Sequence, residues 1–459
     1  MERENFKSRL GFILISAGCA IGIGNVWRFP FVVGNHGGGF FVLFYLFFLI
    51  AVGVPVLTME FSVGRASRQS AVKAYKVLEK PGQKWHIHGY IAMFGNYVLM
   101  MFYTTVAGWM LYYFYRYVAG GIEKLDGSGV ETAFGEMLSK PGNMAFWMLL
   151  IVLLGFGICS LGLQKGVERI TKWMMLALLA LILVLAVHSI LLPGGAEGLK
   201  FYLLPNLDRL KEAGVWNTIS AAMNQSFFTL SLGIGAMAIF GSYLGKKKSL
   251  LGESINIAAL DTFVAIVAGL IIFPACFTYG VSPDSGPSLI FITLPNVFNQ
   301  MEGGRLWGAL FFLFMTFAAF STIIAVFENI MSCCMDQWHW SRKKAALINV
   351  FVIALASMPC VLGFNVWAGF QPLGAGTGVL DLEDFIVSNL LLPGGSLVYL
   401  MFCVNRFGWG FKNYLAEANT GDGVKVPVWL RFYFTWILPV LIFILLVQGI
   451  WGVVGKLFV

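Results

Sequence analysis

A short glycine-containing segment occurs twice in this chain, and each copy lies inside an apolar stretch long enough to cross a bilayer. The first reads Ala-Ile-Gly-Ile-Gly-Asn at residues 20–25, and the second reads Ser-Leu-Gly-Ile-Gly-Ala at residues 231–236. Glycine destabilises a helix interior by about 1 kcal/mol relative to alanine, so these matching pairs predict two helices broken within the membrane. A broken helix exposes N–H and C=O groups that can bind a charged solute and coordinate an ion. Close helix packing through small residues is the alternative, and the repetition disfavours it.

The composition places the chain in a lipid bilayer. Hydrophobic residues make up 58% of its 459 residues, charged residues make up 12%, and the mean hydropathy is +0.78, which is far from the soluble average. Eleven apolar runs are each long enough to cross about 30 Å of hydrocarbon. They lie at residues 10–35, 38–64, 88–119, 143–163, 170–192, 215–244, 254–281, 306–335, 345–364, 382–404 and 431–455. We therefore predict an all-α polytopic membrane protein with about 11 transmembrane helices.

Positive charge is unevenly distributed between the apolar runs. With the N-terminus inside, most of the 31 Lys and Arg residues fall in segments that face the cytoplasm. The positive-inside rule then predicts a cytoplasmic N-terminus and, after eleven spans, a C-terminus outside. The same bias accounts for the net charge of +8, so no nucleic-acid partner is expected.

Several function classes are disfavoured by the motifs that the sequence lacks. It contains no Gly-x-x-x-x-Gly-Lys-[Ser/Thr] loop for nucleotide phosphates and no His-Glu-x-x-His or Cys-x-x-Cys spacing for a metal. All seven cysteines fall in apolar runs, which is typical of packing. We predict that the protein is not an enzyme.

We single out five ionisable residues within the predicted spans: Arg28, Glu60, Asp261, Glu328 and Asp384. Each costs at least about 2.5 to 3.5 kcal/mol on insertion scales, so these residues are candidates for function. Arg28 directly follows the first predicted break, where a cation is well placed to act as a gate. The alternative for Arg28 is that its side chain reaches the outer interface.

The eighth apolar run carries two hydroxyl groups on one helical face. Ala318, Ser321, Thr322 and Val326 are spaced i, i+3, i+4 and i+8, which places them on the same side of a helix. Hydroxyl oxygens can ligate a small hard cation. The alternative is that each hydroxyl bonds the carbonyl four residues earlier in its own helix.

Longer strings make a family resemblance visible. They are Gly-Cys-Ala-Ile-Gly-Ile-Gly-Asn-Val-Trp-Arg-Phe-Pro at 18–30, Asn-His-Gly-Gly-Gly at 35–39, Glu-Phe-Ser-Val-Gly-Arg at 60–65, Phe-Phe-Thr-Leu-Ser-Leu-Gly at 227–233 and Phe-Ile-Thr-Leu-Pro at 291–295. In these strings the chain resembles the neurotransmitter:sodium symporter family, in its bacterial amino-acid transporter branch. The resemblance implies two inverted five-helix repeats with helices 1 and 6 broken at the midplane. It divides the chain into a first repeat (1–192), an extracellular loop (193–213), a second repeat (214–405), and a cytoplasmic loop with helix 11 (406–459).

The resemblance also implies two sodium sites built from oxygen atoms. The first would use the Ala20 carbonyl, the side chains of Asn25, Thr229 and Asp261, and the carboxylate of the substrate. The second would use the carbonyls of Gly18, Ile21 and Ala318 with the hydroxyls of Ser321 and Thr322. Oxygen ligands of this kind suit a hard monovalent cation.

A substrate site and two gates follow from the same resemblance. The N–H groups of Ile23 and Gly24 and the phenol of Tyr103 would bind the substrate carboxylate. The complete predicted substrate site consists of Ala20, Gly22, Ile23, Gly24, Leu99, Tyr103, Phe228, Thr229, Ser231, Ile234, Thr322 and Val326. The predicted gates are Arg28 with Asp384 on the outside, and Arg3 with Asp336 on the inside, where Phe6, Ser242 and Tyr243 lie nearby.

The chain departs from the family pattern at three places. Monoamine transporters carry an aspartate where this chain has Gly22, so a substrate with its own carboxylate is implied. The Gly-x9-Pro pattern of helix 5 begins at Gly166 but ends at Leu176, which leaves the unwinding of this helix open. Asp261 stands where asparagine is usual, and its charge would remove a chloride requirement. We hypothesise that Asp261 also carries a proton back after sodium leaves; the alternative is a permanently ionised aspartate.

The sequence as a whole predicts a sodium-coupled symporter that imports a neutral hydrophobic or aromatic L-amino acid by alternating access. Its expected location is the bacterial plasma (inner) membrane, and its expected partners are the amino acid, sodium ions and the lipid bilayer. The oligomeric state stays open. The alternatives are a transport-inactive amino-acid sensor on the same fold and, less favoured, a sodium channel.

Overall fold

The computed structural model describes residue 6, residues 8–280 and residues 289–457, and within these ranges the chain forms helices and no named strand. Apolar residues recur around the whole circumference of the long helices, as is typical of membrane spans. The all-α prediction is confirmed. We number the spans α1 to α11 in chain order and give the shorter peripheral helices by their ranges.

Nine spans of the described chain are continuous and apolar enough to cross a membrane. Their bounds are α2 Gly39–Ser67, α3 His86–Val118, α4 Pro141–Ser160, α5 Leu163–Ile190, α7 Leu250–Thr278, α8 Gly304–Trp338, α9 Arg342–Gly363, α10 Val379–Val404 and α11 Leu430–Trp451. The peripheral helices are Ala71–Leu78, Gly127–Ser139, Gly195–Leu203, Leu207–Ala213, Leu294–Gln300 and Phe411–Ala418. Two of these helices occupy the segment 193–213 that was predicted as a loop.

Two spans are broken at the predicted glycine segments. The first consists of α1a (Arg9–Ala20) and α1b (Gly24–Asn35), whose axes differ by 54°. The sixth consists of α6a (Val215–Thr229) and α6b (Ala236–Ser242), which are 15 and 7 residues long. With both broken spans included, the eleven predicted helices are present in the predicted order.

The break in α6 depends on glycine for two reasons. Gly233 and Gly235 have φ angles of 92° and 74°, in the left-handed region that side chains with a Cβ disfavour. A Cβ on Gly233 would also lie 2.3 Å from the Leu392 carbonyl oxygen of α10. The glycines therefore permit both the turn and the close approach of α10.

The enclosed helices are those that carry the predicted site. In their most apolar stretches, 83% of residues are buried in α8 and 72% in α3, against 22% in α11. Polar groups on α3 and α8 consequently face other helices, whereas α11 presents most of its surface to lipid. At the start of α5, Leu163–Glu168 forms one wide π-helical turn that continues into Arg169–Ile190.

Candidate functional site

Three polar side chains from three helices meet beside the break in the first span. Asn25 follows the break, Thr229 ends α6a, and Asp261 lies within α7. The Asn25 amide donates to the Asp261 carboxylate (Nδ2 to Oδ1, 2.8 Å) and to the Thr229 hydroxyl (3.2 Å). The Thr229 hydroxyl donates to the second carboxylate oxygen (2.8 Å). The structure thus brings together the three side chains predicted for the first sodium site.

The Asp261 carboxylate is fully buried, and its hydrogen-bond donors are neutral. Among the described residues no Lys, Arg or His side chain lies within ion-pair distance of it. A buried carboxylate without a counter-charge is strongly disfavoured. A monovalent cation bound here would supply that charge, and the carboxylate, hydroxyl and amide oxygens are ligands of the kind that a hard cation prefers.

A second group of oxygen atoms lies where α1a ends against α8. The Ser321 hydroxyl is within hydrogen-bond distance of the carbonyl oxygens of Gly18 (2.8 Å), Ile21 (3.2 Å) and Ala318 (2.9 Å). The Thr322 hydroxyl approaches the carbonyls of Gly18 (3.2 Å) and Ile21 (3.4 Å). Each hydroxyl has one proton, so these oxygens outnumber the protons that they share. All five groups predicted for the second sodium site are therefore adjacent, and their surplus of lone pairs favours a cation.

A small cavity adjoins both groups of oxygen atoms: Thr322 of the second group lines it, as do Gly24 and Phe228, which directly precede Asn25 and Thr229 of the first group. Its volume is about 20 Å³, and its lining consists of Ala20, Gly24, Leu99, Tyr103, Phe228, Ser231, Thr322 and Leu392. Seven of these eight residues belong to the predicted substrate site, and Leu392 does not. Five predicted residues do not line the cavity: Gly22, Ile23, Thr229, Ile234 and Val326. A volume that holds about one water molecule means that the pocket has to widen to accept an amino acid.

The backbone at the first break faces the phenol of α3. The Ile23 N–H donates to the Tyr103 hydroxyl (2.8 Å), so two groups predicted to share the substrate carboxylate already point at each other. A Cβ on Gly22 would lie 2.0 Å from that hydroxyl and 2.5 Å from the Thr322 Oγ1. This closeness explains why the chain has glycine there and has no room for the aspartate of the monoamine transporters.

The predicted outer gate is linked through a third residue. The Arg28 guanidinium donates to the Ser388 hydroxyl (3.1 Å), which donates to the Asp384 carboxylate (2.6 Å). The guanidinium also lies over the Phe228 ring, 4.1 Å from its centre. Arg28 therefore covers the aromatic side chain that lines the cavity, and Ser388 bridges the two predicted gate charges, which form no direct ion pair in the described structure.

Ser388→Ala is expected to reduce the maximal rate of substrate uptake about fivefold, because it removes the bridge and a partly exposed charge contact contributes up to about 1 kcal/mol. Sodium-dependent substrate binding should stay within about twofold of wild type. Uptake and equilibrium binding in proteoliposomes measure the two effects. Ser160→Ala is the control, because the Ser160 hydroxyl bonds only Gly157 of its own helix. Equal loss of binding and of folded protein in Ser388→Ala would indicate a structural role.

A polar cluster lies at the predicted inner gate and includes one of the predicted gate residues. The Tyr243 hydroxyl donates to the Glu328 carboxylate (2.8 Å), which forms an ion pair with Arg342 (2.7 Å). The Phe6 ring packs edge-on against Tyr243, with centres 5.6 Å apart. Asp336 accepts a hydrogen bond from the backbone N–H of Ser70 (2.7 Å). Arg3 lies outside the described residues, so its predicted pairing with Asp336 stays a prediction.

Glu60 holds the broken segment of the sixth span from α2. Its fully buried carboxylate accepts a hydrogen bond from the Gly233 N–H, which has no helical partner at the break. Sequence reasoning singled out Glu60 by its cost in a membrane but did not give it a partner. It did not assign Ser388, Leu392 or Arg342 to the site. The available signal for Ser388 was its position one helical turn after Asp384.

Comparison with known proteins places the chain among sodium-dependent transporters. The profile of the Sodium:neurotransmitter symporter family matches residues 3–123 and 129–456. The sodium-dependent transporter YhdH of Bacillus subtilis is 33% identical over 431 residues, which cover 94% of this chain and 93% of that protein. The sodium- and chloride-dependent taurine transporter of rat is 25% identical over 96% of this chain and 77% of that protein.

A solved structure shares both the fold and part of the sequence. The crystal structure of MhsT in complex with L-phenylalanine superposes with a TM-score of 0.88 and is 35% identical, covering 98% of this chain and 100% of that one. Such coverage leaves no large segment of either chain without a counterpart.

Proposed function

The chain belongs to the sodium:neurotransmitter symporter family, and we propose that it imports a neutral hydrophobic or aromatic L-amino acid together with sodium ions. Membership makes it a multi-pass sodium-dependent transporter. The substrate, the number of ions and the alternating-access cycle go beyond what family membership shows, and they are what we propose.

The observation that carries the proposal is the placement of two oxygen groups next to one small cavity. The first contains the buried Asp261 carboxylate, and the second contains the hydroxyls of Ser321 and Thr322 beside three carbonyls. A sodium ion at the first group would balance the charge of Asp261, and a second ion would be ligated by the neutral hydroxyl and carbonyl oxygens of the second group. A substrate carboxylate entering at Tyr103 and the Ile23 N–H would complete the first ion's ligands, so ion and substrate would bind together.

The rest of the cavity favours an apolar side chain. Leu99, Phe228 and Leu392 line it, and none of its eight described lining residues is charged. A charged substrate side chain would be desolvated there without a partner, which is unfavourable, whereas Ser231 and Thr322 leave polar contacts for one hydroxyl group. The L-phenylalanine in the complex with MhsT, a 35% identical protein, supports this class of substrate.

The driving force suffices for uptake against a gradient. One charge that crosses 100 mV releases about 2.3 kcal/mol, and a tenfold concentration gradient contributes about 1.4 kcal/mol. Two sodium ions would therefore supply roughly 7 kcal/mol, which corresponds to accumulation on the order of 10⁵-fold.

Two polar clusters would close the path to the substrate site on its two sides in turn. Separation of Arg28 from Ser388 and Asp384 would open the path on the outside, and separation of the Tyr243–Glu328–Arg342 cluster would open it on the inside.

We place the protein in the bacterial plasma membrane with its N-terminus in the cytoplasm and its C-terminus outside. Asp261 leads us to propose that transport needs no chloride.

Uptake of labelled L-phenylalanine into proteoliposomes is expected to need sodium, and choline substitution should abolish it. Thr322→Ala should raise the sodium concentration for half-maximal uptake about tenfold, because it removes one oxygen of the second group. Thr316→Ala is the matched control, since the Thr316 hydroxyl lies in the same helix but bonds only its own Phe312 carbonyl (2.8 Å). Uptake that is unchanged in choline would refute sodium coupling, and sodium-dependent binding without counterflow would indicate a sensor.

A further inference from the structure

A pair of buried asparagine amides lies behind the broken segment of the sixth span. The Asn96 side chain of α3 is 1% exposed, and its Nδ2 donates to the backbone carbonyls of Ile234 (2.8 Å) and Ala92 (2.7 Å). Its Oδ1 accepts a hydrogen bond from the Nδ2 of Asn329 in α8 (3.1 Å). Both donors and the acceptor of Asn96 are thus engaged inside the protein.

The Ile234 carbonyl requires such a donor. Ile234 lies between Gly233 and Gly235, where the chain is not helical, so its carbonyl has no place in a helical ladder. A buried carbonyl without a donor is strongly disfavoured. Asn96 supplies the donor from α3, while Glu60 binds the neighbouring Gly233 N–H from α2. Two successive residues of the break are therefore held from two different helices.

Asn329, together with the Ala92 carbonyl, fixes which way the Asn96 amide points. The oxygen and nitrogen ends of an amide have nearly the same shape, so packing alone does not distinguish them. The Asn329 N–H binds the oxygen end and so directs the nitrogen end toward the Ile234 carbonyl. If the amide turned over, its oxygen would face that carbonyl oxygen and the two would repel.

This arrangement bears on the substrate pocket. Ser231 and Phe228, three and six residues before Ile234, line the cavity on the same stretch of chain. The Ile234 side chain itself lies against α3, where a Cβ on Gly95 would be 3.1 Å from its Cγ2. A shift of the Ile234 backbone would therefore move the wall of the pocket on the α6 side.

We propose that Asn96 and Asn329 are positioning residues that fix the broken segment of α6 and so set which apolar side chains the transporter accepts. This inference rests on the proposed function, because it concerns the same substrate pocket. Neither amide touches the cavity, so the pair acts through Ile234 rather than on the substrate.

The test compares Asn96→Leu, Asn329→Leu and the double variant, since leucine resembles asparagine in shape but cannot donate. Sodium-dependent binding of L-phenylalanine and L-leucine is measured on purified protein. Each single variant is expected to weaken L-phenylalanine binding about tenfold and to change the ratio of the two affinities at least threefold. The double variant should be no weaker than Asn96→Leu, because the two amides act as one unit. The affinity for sodium alone should stay the same.

Asn349→Leu is the matched control. Asn349 is also buried, and it bonds the Tyr97 hydroxyl (2.5 Å) rather than the broken segment. It is expected to lower the thermal stability without changing the ratio of affinities. If the leucine variants do not fold, Asn329→Asp keeps the shape, presents an oxygen to the Asn96 oxygen, and should weaken L-phenylalanine binding by a similar factor.

The outcomes separate this inference from the proposed function. If the wild type binds neither amino acid with sodium, the proposed function fails. If the wild type binds both and the folded variants keep its affinities and their ratio, the positioning role is wrong. A double variant whose loss equals the product of the two single losses would also overturn it.

Discussion

Gly22→Ala is expected to reduce amino-acid uptake on the order of 100-fold. The added Cβ would lie 2.0 Å from the Tyr103 hydroxyl and 2.5 Å from the Thr322 Oγ1, so both side chains have to move. Overpacking of this kind typically costs about 1 to 3 kcal/mol, and here the displaced groups are the predicted ligands of the substrate carboxylate and of sodium. The loss should therefore appear in substrate binding and in uptake together.

The control for this variant is another glycine within a span. A Cβ on Gly157 of α4 would meet nothing within 4 Å, so Gly157→Ala should transport normally. Gel filtration and thermal unfolding of both variants separate a folding defect from a binding defect. Wild-type uptake by Gly22→Ala would show that Tyr103 and Thr322 can retreat without loss, which would remove the steric argument for a carboxylate-bearing substrate.

The overall fold was predictable because a bilayer permits few arrangements of a polypeptide. Apolar runs of sufficient length have to form helices there, and their number and order followed from the sequence. The breaks were predictable for the same reason. Paired glycines at 22–24 and 233–235 are so unfavourable in a helix that their repetition indicates non-helical backbone, and the structure has both breaks at these positions.

The site was only partly predictable, because contacts depend on how each helix is rotated. The residues of the two oxygen groups occur in motifs that resemble a known family, and the structure brings them together. The bridge at Ser388 and the lining residue Leu392 depend on which face of α10 turns inward, and one leucine among several carries no such signal. Asn96 bonds a carbonyl 138 positions away, and no local pattern indicates that partner.

Arg342 shows a further limit of sequence patterns. From the sequence, Arg342 is assigned to the cytoplasmic charges that orient the chain, because it follows the apolar run of α8. The reversal between α8 and α9 brings it back to Glu328, where their ion pair measures 2.7 Å. Pairing reduces the cost of a charge that the membrane would otherwise disfavour. The sequence identifies the Glu328 carboxylate as unfavourable in a membrane. Its partner Arg342 becomes apparent only in the structure, where the turn between α8 and α9 brings the two side chains together.

The second large effect concerns the only carboxylate in the first oxygen group. Asp261→Asn is expected to lower uptake on the order of 100-fold in chloride-free medium, because the substitution removes the fixed negative charge beside the proposed ion. Hydrogen bonds to charged groups contribute about 1.5 to 3 kcal/mol each, and Asp261 receives one from Asn25 and one from Thr229. Asp126→Asn is the control, because Asp126 caps a peripheral helix at the surface and asparagine caps equally well.

Chloride is expected to restore much of the uptake of Asp261→Asn, while the wild type should be indifferent to it. An anion that binds beside the neutral asparagine can replace the lost charge, as the names of the sodium- and chloride-dependent relatives lead us to expect. We also expect the wild type, but not the variant, to move protons out during uptake, because an aspartate that has released sodium inside a protein tends to take up a proton. Proteoliposomes with varied chloride and an internal pH dye measure both effects in one experiment. A variant that gains no chloride stimulation and still moves protons out as the wild type does would refute the hypothesis. A variant that gains chloride stimulation while the wild type moves no protons would leave Asp261 as a permanently ionised ligand.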